Sequence, residues 1–124
     1  YLEKGVNVGL GSDIAGGHSL SIPRAIVGSI QASKMKWIET EGALKPLTCS
    51  EAFYLATKGG GSFFGNVGSF EKGYEADLLV IDDSNIDHIK GLTLEERLER
   101  FLYIGDDRNI VERYVAGERL EENF

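Results

Sequence analysis

The sequence is poor in the residue types that build self-contained chemistry. It has one cysteine, Cys49, so no internal disulfide can form. A single thiol suits a reducing compartment, and the reading is of a cytoplasmic protein. It has two histidines, His18 and His88, far apart in the chain. No Cys-x-x-Cys and no pair of histidines at ligand spacing is present. Basic residues are the minority, 13 against 20 acidic, for a formal net charge of −7. That balance argues against non-specific nucleic-acid binding, which needs clustered positive charge. No apolar run approaches the roughly 18 residues needed to cross a bilayer, and no signal-peptide pattern is visible.

Two phosphate-binding patterns are also missing. Gly9-Leu10-Gly11 would need glycine at position 14 to complete the dinucleotide fingerprint, and Ile14 stands there. No Gly-Lys-Ser/Thr follows, so there is no P-loop.

What is present centres on residues 5–17. Val6, Val8 and Leu10 alternate with Asn7, Gly9 and Gly11, the period of a strand. The run stops at Ser12-Asp13, followed by Gly16-Gly17. In parallel α/β architectures, ligands bind at the carboxyl ends of strands. Asp13 there is a candidate for metal ligation or proton transfer. It equally suits a turn or a helix N-cap. His18, just beyond the glycines, is either a pocket residue or an ordinary loop histidine.

Further on, Ser21 and Pro23 predict a helix start. Ile22, Ile26, Val27, Ile30 and Trp37 carry one apolar face to about Ile38, with Lys34 and Lys36 late in the helix to complement its dipole. Thr48-Cys49-Ser50-Glu51 is a capping box opening a second helix, with Ala52, Leu55 and Ala56 as its apolar stripe. Gly59-Gly60-Gly61 reads as its end. Cys49, in that first turn, stands where thiol pKa values can fall. With no His or second Cys close in sequence, it reads as structural.

From Asn66 the pattern turns to β. A glycine-punctuated turn leads into Leu78-Leu79-Val80-Ile81, an unbroken apolar run that predicts a central strand buried on both faces. Thr93 to Glu96 is another capping box, opening a helix that ends near Gly105. A polar turn at Asp106 to Asn109 precedes a strand from Ile110 to Val115. Ala116-Gly117 then forms a hairpin corner into a short edge strand over 118–122.

Val-Gly-Leu-Gly-Ser-Asp-Ile-Ala-Gly-Gly resembles the eighth barrel strand of the metal-dependent amidohydrolase superfamily. Leu47 to Gly60 is similar to the helix after that barrel. Gly68 to Gly73, with Ala76 to Val80, is similar to the superfamily's return into a small β-sandwich. Within the superfamily, Gly-Ser-Asp-Ile-Ala-Gly-Gly, the block Phe101 to Ile110 and the hairpin Val111 to Leu120 resemble the guanine deaminases. The resemblance runs through nearly the whole chain in family order. It implies an α/β fold: the C-terminal fragment of a (β/α)8 barrel over residues 1–65, then the C-terminal part of a composite sandwich with an inserted helix over residues 66–124. A whole barrel takes about 200 residues or more.

The implied function is zinc-dependent hydrolysis of guanine to xanthine and ammonia, in a cytoplasmic homo-oligomer. Asp13 is the one position that carries over. In the family it contacts the metal, the attacking water and the substrate, and it shuttles protons. The metal-binding histidines and guanine-contacting residues of the family precede Tyr1. A catalytic zinc takes about three protein ligands, so the 124-residue chain alone is expected to hold no such zinc and to be inactive. The alternatives are a related amidohydrolase acting on another aminated ring, a stand-alone module holding an anion at the Ile22 helix N-terminus, and a purely structural or oligomerisation module.

Overall fold

The computed structural model describes residues 2–86 and 90–121; His88 lies outside them. After a single 3-10 turn at Leu2–Lys4, three helices and a small sheet follow. Helix α1 is Ile22–Glu39. Helix α2 begins at Cys49–Tyr54 and continues as a π-helical turn over Leu55–Gly59. Strand β1 is Leu78–Ile81, helix α3 is Leu94–Ile104, and strands β2 and β3 are Ile110–Val115 and Glu118–Arg119.

The helix starts follow their caps. Ser21 Oγ accepts from the Arg24 N–H, and Pro23 occupies the first turn, where its missing donor costs nothing. Thr48 with Glu51, and Thr93 with Glu96, form complete reciprocal capping boxes. Each satisfies two backbone donors that the helix geometry leaves orphaned.

Helix α1 packs against both α2 and α3. Its Ile26, Val27 and Ile30 meet Ala52 from α2, Phe101 and Leu102 from α3, and Ile86 in one buried cluster. Trp37 and Ile38, at the far end of the same apolar stripe, are exposed. The core therefore uses the first half of α1. Arg24 ties α1 to the end of α3 by donating from Nη1 to the Tyr103 carbonyl at 3.0 Å, one of the carbonyls a helix end leaves unpaired.

The sheet is antiparallel throughout, in the order β1-β2-β3. Ala116 and Gly117 both take positive φ, 50° and 81°, as a two-residue hairpin turn matching strand twist requires. The edge strand is shorter than expected, ending at Arg119.

Three expectations are corrected. First, β1 is not a central strand buried on both faces. It pairs with β2 alone among the described residues, and Leu79 is 53% exposed. A register shift between Val80 and Ile81 leaves Val111 of β2 as the extra residue. Leu79 and Val80 are adjacent and point to opposite faces, and both are exposed, so neither face is fully covered by the described residues, while Ile81 packs against the core. Second, Gly59 to Gly61 do not end α2. The helical path runs through all three, because glycine here answers a packing demand described below. Third, residues 6–10 are not paired as a strand. No neighbouring strand lies beside them among the described residues, and the Leu10 N–H donates instead to the Leu55 carbonyl of α2 at 3.0 Å.

Candidate active-site segment

Asp13 sits in a tight turn that its own backbone builds. Its carbonyl accepts the N–H of Gly16 at 2.9 Å and also that of Gly17. Asp13 has φ +47° and Ala15 φ +83°. Left-handed geometry is tolerable for Asp and costly for Ala. Such strain concentrates at functional sites. Gly17 is needed beside it, since a Cβ there would run into the backbone carbonyl oxygens of Ser12 and Asp13. The carboxylate is exposed, free to meet an external group.

The segment leading to Asp13 lies along α2. Asn7 Nδ2 donates to Ser62 Oγ at 2.7 Å, and Ser62 Oγ donates to the Gly59 carbonyl at 2.6 Å. A Cβ on Gly59 would approach the Val8 carbonyl to 3.0 Å, and a Cβ on Gly9 would lie 2.8 Å from Gly60 Cα. The glycines at 9, 59 and 60 are thus a backbone-to-backbone contact. From the opposite side, Val67 closes on Gly61, and Gly68, at φ +79°, closes on Thr57. Lys58 pairs with Glu71 at 2.5 Å and stands 5.4 Å from the Tyr74 ring centroid. The π-helical turn is therefore gripped by chain on two sides. Sequence reading missed this turn. Its signal was the Gly59-Gly60-Gly61 run, read as a stop.

Other candidates stay apart from Asp13. His18 is exposed. No group of three or more His, Cys, Asp or Glu is placed to hold a metal among the described residues. Burial, and then the nearby Glu99 charge, push the Cys49 thiol up in pKa. That direction removes thiolate and fits the structural reading. At the start of α1, where an anion was one alternative, Ser21 fills the cap and the Arg24 guanidinium turns to Tyr103. A shallow groove of about 400 Å³ follows α3, lined by Leu92, Glu96, Glu99, Arg100, Tyr103 and Ile104; none of the candidate residues lines it.

An exposed aspartate in a strained glycine turn, followed by capped helices and an antiparallel sheet, is the order of elements that the sequence resemblance implies. The Amidohydrolase family pattern matches residues 1–120, and the chain belongs to that family. It is 41% identical to guanine deaminase of Mus musculus and 39% identical to that of Dictyostelium discoideum, over 96% and 97% of its length. The chain spans 28% of the length of each of those two relatives. It superposes with TM-score 0.93 and 56% identity on the crystal structure of a guanine deaminase from C. acetobutylicum with guanine bound in its active site. That match covers 98% of this chain and 29% of the other.

Proposed function

We propose that the chain is the C-terminal portion of a zinc-dependent guanine deaminase, hydrolysing guanine to xanthine and ammonia. The observation that carries this reading is the agreement in backbone and sequence with the C. acetobutylicum enzyme over 98% of the chain. In the whole protein, residues 1–65 form the C-terminal end of the (β/α)8 barrel. Residues 66–124 form the C-terminal part of the accompanying sandwich. The same proposal makes the parent a cytoplasmic homo-oligomer.

Asp13 is the residue of this chain that touches the chemistry. Its carboxylate is a hard oxygen donor, exposed on a hydrogen-bonded turn, and so fits one position of a zinc site whose other ligands come from elsewhere in the protein. Zinc, when bound, lowers the pKa of water to ~7. Asp13 takes a proton from the attacking water, which adds to the ring carbon bearing the amino group. It then returns that proton to the departing amine as the C–N bond breaks, and the proton left on the added hydroxyl passes to the adjacent ring nitrogen, so that guanine and water become xanthine and ammonia.

The test is Asp13→Asn in the full-length protein. The variant keeps the shape but loses basicity, and general acid–base catalysis is worth roughly 100- to 10,000-fold. Guanine turnover should fall at least that far. A near wild-type rate removes Asp13 from the mechanism. Wild-type enzyme that releases ammonia from an adenosine-type or triazine ring, and not from guanine, transfers the proposal to another amidohydrolase.

A further inference from the structure

Asp13 must hold its carboxylate within hydrogen-bond reach of the proton it moves. The direction of that carboxylate follows from the backbone that carries it, and this backbone closes on itself. The Asp13 carbonyl accepts the N–H of Gly16 at 2.9 Å and that of Gly17. Ile14 and Gly17 meet in a parallel bridge. Asp13 and Ala15 are both held at positive φ, 47° and 83°. All of these contacts lie within residues 13–17, so they do not depend on what the whole protein packs around the turn.

We propose that the missing side chains at positions 16 and 17 set where the Asp13 carboxylate stands, making Gly16 and Gly17 positioning residues for proton transfer. The proposal rests on the functional reading above. The two glycines act by different routes. A Cβ at position 17 would run into the Ser12 carbonyl oxygen and lie 3.0 Å from that of Asp13. Favourable carbon-to-oxygen contacts sit at ~3.3–3.6 Å. Both obstructing atoms are backbone of the same turn, so they cannot swing aside. Gly17 lies outside the left-handed region, and its requirement is therefore steric. A methyl group there opens the turn and moves the Asp13 backbone. A Cβ at position 16 would lie 2.6 Å from Asp13 Oδ2 and 3.2 Å from its Cγ. Those atoms can rotate, so the fold tolerates the methyl group, but the carboxylate has to leave its place. Ala15 supplies the matched control. It stands in the same turn, and its φ suits glycine better than alanine.

The experiment compares Gly17→Ala, Gly16→Ala, Ala15→Gly and Asp13→Asn in the full-length protein. It reads kcat and KM for guanine, melting temperature, and hydrogen exchange at the amides of residues 16 and 17. A misplacement of ~1 Å costs up to ~100-fold in rate. Gly17→Ala should therefore lower kcat by about 10- to 100-fold and lose protection at both amides. KM should stay nearly unchanged, as it does when an interaction made only in the transition state is lost. Gly16→Ala should lower kcat in the same way while keeping the melting temperature and the amide protection of wild type. Ala15→Gly should match wild type in kcat. A merely structural glycine would lower the melting temperature and leave the kcat of the folded enzyme alone. Gly16→Ala decides the matter if Gly17→Ala does not fold. Wild-type kcat in folded Gly17→Ala, or in Gly16→Ala, overturns the proposal. So does an equal loss in Ala15→Gly. If Asp13→Asn is inactive while both glycine variants are fully active, only the positioning role fails. If Asp13→Asn turns over guanine normally, the functional reading fails and takes this proposal with it.

Discussion

The side-chain amide of Asn109 donates to Asn85 Oδ1 at 2.6 Å and, from the same nitrogen, to the Asp82 carbonyl at 2.7 Å. Its Oδ1 accepts the Asp106 N–H at 3.0 Å. Asn109 is the buried polar residue of the described core, 3% exposed. It joins the end of β1, the loop after it and the turn before β2. Asn109→Ala removes all three of these hydrogen bonds, each worth about 0.5–1.5 kcal/mol net. Urea unfolding of the chain should show a loss of at least ~2 kcal/mol. A loss within error of zero would mean that water replaces the amide at all three partners.

Core and sheet face should respond oppositely to truncation. Leu102 is 2% exposed between α1 and α2, whereas Leu79 is 53% exposed on β1. Leu102→Ala should cost ~2–5 kcal/mol. Leu79→Thr should stay within about 0.5 kcal/mol of wild type in this chain. A large loss at Leu79 in the 124-residue chain would mean that its face is covered in solution.

The capping boxes give acid sensitivity of known sign. Hydrogen bonds from the Thr48 backbone and hydroxyl lower Glu51 below its ordinary value of 4.5, and those from Thr93 do the same for Glu96. A carboxyl lowered on folding adds stability that is full above its unfolded pKa. That stability is lost as pH falls through the folded pKa. Melting temperature should therefore drop as pH decreases below about 4.5. Glu51→Gln with Glu96→Gln should flatten part of that drop. Asp82, lowered by Ser84, and Asp106, lowered by Arg108, should maintain the remainder. An unchanged acid slope in the double variant would rule the caps out as its source.

The 124-residue chain by itself should bind no stoichiometric zinc and release no ammonia from guanine. Asp13 offers one ligand where a catalytic zinc takes about three. The chain should also self-associate. Phe63, Phe64 and Phe70 are exposed, the last two at 87%, and β1 leaves one edge unpaired among the described residues, a form that invites strand pairing between copies. Metal analysis, an ammonia assay and light scattering check this together. A monomer with bound zinc would show that His18 or another side chain completes a site with Asp13.

What the sequence determined by itself was local. Ser21, Thr48 and Thr93 start their helices because a cap needs only residues within one turn, and Ala116-Gly117 turns the hairpin for the same reason. Asp13 was legible as a candidate because an aspartate closing an apolar, glycine-rich run is a short-range pattern; the same pattern suits a turn or cap, and the chemical role came from the family resemblance. Tertiary structure decided everything that depends on a distant neighbour. Four apolar residues at 78–81 do not reveal that the strand pairs on one edge only among the described residues and leaves Leu79 exposed. Nor does Gly59-Gly60-Gly61 announce a helix continuing through it. Glycine both ends helices and lets two backbones touch, and only the arrival of Gly9, some 50 residues earlier in the chain, selects the second use.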